Sequence, residues 1–286
     1  MDKLISKIIM RHLTETKADV ANALNASNET MATTVWEQGY APLREIFADR
    51  IILPKGVTTY EVPVPAIGTA LEAEPVADNV TFIGMTYKQV VASKVRGVNY
   101  GWTRGYLESC AWDALAPQLK GAGEAVERAV FKSAYDHLVA DSGTNDSTTW
   151  ANNTTFCYAY FLAGVKALAT HNYTCDVCIL HPTEYFALLN DSKFIDASVI
   201  GSADPIKTGV IQTTLGVTVF MSTVATEGTA VFIDSKKALC MAVIRDKQSE
   251  EYSYPDSNLY GIVVTMKFGE EVILPYAICV MTEAAA

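Results

Sequence analysis

The stretch from residue 57 to residue 105 constrains the fold most, because it is patterned as strand yet carries little apolar surface of its own. Tyr60, Val62 and Val64 alternate with Thr59, Glu61 and Pro63, the period of a strand with one buried face. Val90-Val91-Ala92, Val95 and Val98 extend the pattern, interrupted by Gly97 and Gly101. Between the two limbs, Glu72-Ala73-Glu74-Pro75-Val76-Ala77-Asp78 is polar enough to form an exposed tip. A two-limbed β-excursion of this kind is marginal in water unless other surfaces cover it. Neighbouring molecules must supply that cover.

The body is read downstream. Pro117 suits a first helical turn. Val126, Ala129, Val130, Ala134 and Leu138 then recur at helical spacing, opposite Glu124, Glu127, Arg128, Lys132 and Asp136. Gly121 and Gly123 weaken the start of this helix without breaking it. It closes at Asp141-Ser142-Gly143, and residues 144–155 read as a polar loop. A buried helix is expected over Phe156–Ala169, a strand over Asp176–Leu180, and a helix from Pro182 to Leu189. Strands follow at Leu215–Met221, Ala230–Ile233, Ala238–Arg245, Gln248–Tyr254, Leu259–Phe268 and Val272–Val280. Pro255-Asp256-Ser257-Asn258 is a strong turn sequence, and Gly269-Glu270-Glu271 supplies another. Residues 14–56 read as an extended arm with a short helix from Thr33 to Phe47. Leu4, Ile5, Ile8, Ile9 and Leu13 form one face of an amphipathic helix whose run is cut by Lys7 and Arg11, unlike a signal peptide. The fold class is α+β.

Half of the 286 residues are hydrophobic and 19% are charged, the composition of a folded protein. The mean hydropathy of +0.15 is high for a soluble monomer, as apolar surface held for other subunits, or a large core, would make it. A net charge of −10 argues against nucleic-acid reading, which needs clustered Lys and Arg. The densest basic spot, Lys236-Lys237 beside Asp234, reads as a solvated pair. No apolar run approaches the roughly eighteen residues of a membrane span. The six cysteines read as reduced and mostly buried.

Catalytic signatures are missing. No phosphate-binding loop occurs, and Gly121-Ala-Gly123 has Val126 where a dinucleotide fingerprint needs its third glycine. There is no Gly-x-Ser-x-Gly elbow and no His-Glu-x-x-His. Cys175-Asp-Val-Cys178, with His171 and His181 nearby, has a spacing compatible with zinc. On a buried strand, however, residues three apart face opposite sides, so the cysteines read as small buried hydrophobes. Glu250-Glu251 and Glu270-Glu271 sit beside turns and read as solvated strand ends. The expectation is no catalytic, cofactor-binding or metal-binding residue, and no enzyme activity.

The order of arm, β-excursion, long helix and α+β half ending in a long hairpin resembles the tailed-phage major capsid protein fold, the Hong Kong ninety-seven type. Encapsulins and some archaeal viruses share that fold. Leu215-Gly-Val-Thr-Val-Phe-Met221, Gly228-Thr-Ala-Val-Phe-Ile-Asp234 and Ala238 to Arg245 resemble the family's closing sequence, with Leu274-Pro275-Tyr276-Ala277-Ile278 at its final strand. Ile179-Leu180-His181-Pro182-Thr183-Glu184-Tyr185 resembles its strand-to-helix step.

The resemblance implies an N-terminal arm over residues 1–56, an extended loop over 57–105, a peripheral domain over 106–154 and 233–270, and an axial domain over 155–232 and 271–286. It implies a shell of many copies in pentamers and hexamers around double-stranded DNA, assembled in the host cytoplasm, with scaffolding, portal or decoration proteins as partners and neither membrane nor sequence-specific nucleic-acid binding. Some relatives join a loop Lys to a hairpin Asn with help from a buried Glu. The family's spacing puts Asn258 at the Asn position and Thr265 at the Glu position, with Lys88 or Lys94 as the amine, so a non-covalent shell is expected. An encapsulin-type compartment is the first alternative, and a soluble α+β enzyme the second.

Overall fold

The computed structural model describes residues 46–65, 85–103, 105–106, 115–141, 149–151, 155–191, 213–254, 256 and 258–284. The amphipathic segment at residues 4–13, the polar tip at 72–78, and the helix at 33–47 apart from Ile46 and Phe47 lie outside them.

Three sheets carry the described chain. A four-stranded sheet has the order β1-β10-β11-β4, from Asp49–Ile52, Leu239–Tyr254, Leu259–Val272 and Lys94–Thr103. A six-stranded sheet has the order β5-β12-β9-β6-β8-β7, from Thr149–Trp150, Ile278–Glu283, Thr229–Ile233, Val177–Leu180, Val217–Met221 and Thr213–Thr214. Strands β2 (Thr59–Pro65) and β3 (Met85–Val91) pair only with each other, as an antiparallel ribbon.

Helix α1, Leu115–Asp141, lies between the two large sheets. Its Val126, Val130, Ala134 and Leu138 are buried in one cluster with Met241, Val243, Val264, Met266 and Phe268 of the four-stranded sheet and Val177, Ile179, Val231 and Ile233 of the six-stranded one. The opposite face of the six-stranded sheet carries Cys178, Leu180, Ala230, Phe232 and Cys279 against helices α2 (Tyr158–Thr170) and α3 (Pro182–Leu189). With both faces covered, β6 and β9 are buried at every residue, which explains why they read as unbroken apolar runs. Gly164 is where α2 rides over Phe232, whose ring leaves no room for a Cβ.

Helix ends follow local chemistry. The Tyr158 N–H at the start of α2 donates to Asp191 Oδ2 (2.9 Å), a cap supplied from beyond α3. At its other end Asn172 takes a left-handed φ of 62°, and the Tyr173 N–H returns to Leu168 O. Helix α3 starts with Pro182 at its first turn and His181 as N-cap, whose Nδ1 accepts from the Thr183 N–H.

Several boundaries move. The two strands expected at Ala238–Arg245 and Gln248–Tyr254 are one strand, β10, whose pairing shifts between Val243 and Gln248; an irregularity absorbs the polar Arg245-Asp246-Lys247 without ending the strand. The turn expected at Gly269-Glu270-Glu271 is instead the interior of β11, because Cys240, Met241 and Ala242 pair with those three residues. The break comes at Pro275–Ala277, a 3-10 turn that splits the single strand expected over Val272–Val280 and leaves β12 at Ile278–Glu283. Within the loop expected at 144–155, Thr149–Trp150 pairs in parallel with β12. Leu215-Gly216, expected to open a strand, is a turn with both φ angles positive, joining β7 to β8.

The returning limb of the excursion is also a correction. Lys94–Thr103 is hydrogen-bonded to β11 along its whole length, and Val98, Tyr100 and Trp102 pack into the α1 cluster. Among the described strands, only β2 and β3, Thr59–Pro65 and Met85–Val91, stand outside the two large sheets.

Candidate functional site

The ribbon has two unlike faces. Tyr60, Val62, Val64 and Val90 point at a small cluster formed by Leu53, Cys240, Ala242 and Ile273. On the opposite face Pro63 pairs with Tyr87 and Thr59 with Val91. Tyr87 is 62% exposed and Val91 47% exposed. Glu61, Pro63 and Gln89 of this face are exposed as well, so it is an open face with apolar side chains available to a neighbour, although single apolar residues such as Phe186 are exposed on the body too.

Three contacts hold the ribbon's root. Lys88 Nζ donates to Val272 O (2.8 Å). The Val91 carbonyl lies against Gly269, where any Cβ would collide with it. Lys94 Nζ donates to Glu270 Oε1 (2.5 Å), which also accepts from Ser133 Oγ (2.6 Å). The Glu270 side chain is 0% exposed, and its Oε2 is buried without a hydrogen-bond partner. This overturns the reading of Glu270 as a solvated strand end. Strand parity carried the signal: Val264, Met266, Phe268, Glu270 and Val272 share one side of β11, and that side is core. The expected turn at Gly269 hid it. Glu250, by contrast, is exposed as expected, 3.7 Å from Arg245.

At the far end of the hairpin, Asn258 sits in the turn with a φ of 49° and is exposed. The Tyr252 ring covers Gly261 and Gly101 on the two neighbouring strands, and its hydroxyl bonds Asn99 Oδ1 (2.5 Å). Thr265 Oγ1 accepts from Arg245 Nη2 (2.7 Å). Within one subunit the candidate cross-linking residues are dispersed. Lys94 pairs with Phe268 at one end of β11 and Thr103 with Leu259 at the other, so Lys94 and Asn258 lie roughly 30 Å apart at strand rise.

The Cys-x-x-Cys segment differs from its expected geometry. Cys175 precedes β6 and is not part of it, so it shares one buried cluster with Cys178 and Cys279. Burial pushes the Cys175 thiol up to about 12 and the Cys178 thiol well above its ordinary value, so both hold their protons at neutral pH. The His171 ring lies tilted against Tyr276 (ring centroids 4.9 Å) at the end of α2, while His181 caps α3 across the length of β6. Among the described residues no group of three or more His, Cys, Asp or Glu could hold a metal ion. Lys237 is bound locally, 3.5 Å from Asp234 and 5.2 Å over the Tyr173 ring. Among the described residues no helix is long and apolar enough to cross a membrane.

Comparison with known proteins agrees with this layout. Residues 86–269, more than half the chain, match the family described as phage capsid protein. No curated protein matches by sequence. Among solved structures, that of Mycobacterium phage Che8 superposes with a TM-score of 0.65 at 16% identity, covering 79% of this chain and 84% of that one. The asymmetric unit of the bacteriophage PhiM1 mature capsid gives 0.66 at 10% identity, with 86% and 88% covered. The virus-like particle from Pyrococcus furiosus gives 0.58 at 14% identity, with 92% and 97% covered. A ribbon standing off two packed sheets, in an α+β chain that shares its fold with these shells, accords with the family match: the chain belongs to the phage capsid protein family, and its role is that of a structural capsid protein.

Proposed function

We propose that many copies of this chain close into an icosahedral-type shell of pentamers and hexamers around a double-stranded DNA genome. The observation that carries this reading is the ribbon, whose inner face packs on its own subunit while its outer face presents Tyr87 and Val91 to whatever lies next to it. Burying such a face on a neighbour, many times over, closes a shell through individually weak contacts. The net charge of −10 suits a container whose wall must release phosphate rather than grip it. In this reading the six-stranded sheet with α2 and α3 is the axial domain, and the four-stranded sheet with α1 the peripheral one. The extended loop shrinks from residues 57–105 to the Thr59–Val91 ribbon. Assembly takes place in the host cytoplasm, with scaffolding and portal proteins as partners, and the protein catalyses nothing.

The shell is held non-covalently in this reading. Thr265 offers no carboxylate at the hairpin position beside Asn258, and the carboxylate that does meet a loop amine, Glu270 on Lys94, is engaged in an ion pair at the opposite end of β11; an amine that keeps its proton is a poor nucleophile. Electron microscopy of the expressed protein, with or without its scaffold, tests the assembly. Closed particles support it, and a compact monomer under every condition refutes it. Particles boiled in detergent should run as one band near 31.1 kDa; a ladder resistant to reductant would refute non-covalent closure. A second reading is a compartment holding protein cargo, which a subunit of this fold could equally build. Nuclease-protected DNA inside native particles separates the two.

A further inference from the structure

We propose that Lys94, Glu270 and Ser133 form a latch that fixes the direction in which the ribbon leaves the subunit, and thereby which contacts the next copy meets. The clause about the next copy rests on the shell reading above; the latch itself does not.

The three residues come from three elements: Lys94 opens β4, Glu270 lies near the end of β11, and Ser133 is on α1. Glu270 Oε1 accepts from both donors, and Oε2 is buried without a partner. A buried ion pair of this kind adds little net stability, because desolvation offsets most of the attraction, and apolar side chains of similar size would pack there as well or better. What it supplies is a single geometry. If β4 slipped by one residue along β11, Lys94 would turn to the opposite face and leave Glu270 unpaired in the core. Only Ala92 and Ser93 separate Lys94 from the end of the ribbon, so the ribbon's root moves only if Lys94 moves. The neighbouring residues of β11 complete the clamp. Gly269 receives the Val91 carbonyl at a spot no Cβ could share, and Val272 O accepts from Lys88. Beyond this root the ribbon pairs with no other strand among the described residues; its inner face rests on Leu53, Cys240, Ala242 and Ile273, and the latch holds the root so that this face stays seated there.

The test compares the full chain with Glu270→Gln and with the double substitution Lys94→Met, Glu270→Met. Amide exchange is followed over residues 85–96 and particles are imaged from each. Both variants should show folded circular dichroism and melt within a few degrees of the parent, while exchange over 85–96 speeds up about tenfold in the double variant and less in Glu270→Gln. Particles from the double variant should be irregular in size or left open. Parental exchange over 85–96 in either variant overturns the latch. Faster exchange with uniform, closed particles overturns its part in assembly. The exchange measurement stands even if the parent forms no particles, so failure of the shell reading and failure of the latch are told apart.

Discussion

Strands β9 and β3 are both short and rich in β-favouring residues, yet they are stabilised in different ways. All five residues of β9, Thr229–Ile233, are buried between α1 on one face and α2 on the other. In β3, Val90 is buried while its neighbours Gln89 and Val91 are exposed. The six-stranded sheet is therefore complete within one subunit, whereas the ribbon has only one face covered. In the shell reading the two strands do different work: the body is covered within its own subunit, and the ribbon's open face is the one a neighbour would bury.

The sharpest way to break this contrast is to remove the limb. Replacing Val64–Thr86 with Asn-Gly joins Pro63 to Tyr87, which already face each other across the ribbon, through a two-residue hairpin turn. The subunit should remain folded by circular dichroism and form no closed particles by electron microscopy. Unfolding would show that the limb belongs to the core. The body should fail in the opposite way. Phe232→Ala removes a buried ring stacked edge-on against Phe161 (5.5 Å), and should cost about 3–5 kcal/mol in urea unfolding. A loss below about 1 kcal/mol would mean that the sheet's core relaxes freely.

Gly261→Ala tests the hairpin, which stands between these extremes. A methyl there meets the Tyr252 ring and lies 2.6 Å from Tyr100 O, so about 1–3 kcal/mol should be lost. Combining it with Tyr252→Ala should recover part of that loss. The smallest effect sharpens the contrast by pH. Burial raises Cys175 to about 12 and Cys240 to about 11 from an ordinary 9.0. The unfolded chain releases these protons first, so their stability contribution is complete below pH 9 and falls as pH rises toward 11 and 12. The urea midpoint should drop between pH 8 and pH 10, and drop less in a Cys175→Ala, Cys240→Ala variant. An identical slope would show that the two thiols are not the cause.

Much of the body was legible because periodicity reports burial directly. Val126, Val130, Ala134 and Leu138 marked the buried stripe of α1, and the unbroken apolar runs around residues 177–180 and 229–233 marked strands covered on both sides. His181-Pro182 marked the start of α3, because proline fixes the first-turn φ and the imidazole can accept an N–H. The ordered set of elements was enough to resemble the capsid family. Local signals failed where partners come from far away in sequence. Gly269-Glu270-Glu271 has turn composition but is held extended by Cys240, Met241 and Ala242. Arg245-Asp246-Lys247 looks like a break, yet Arg245 is bound to Thr265 and Lys247 to Glu127 of α1.

The sequence by itself determined which residues must leave water and with what period, and so the element order and the fold class. Tertiary structure decided which face each charge takes. Glu270 is core rather than surface because β4 and α1 bring Lys94 and Ser133 to it from 176 and 137 residues away, and a carboxylate is buried only where donors meet it.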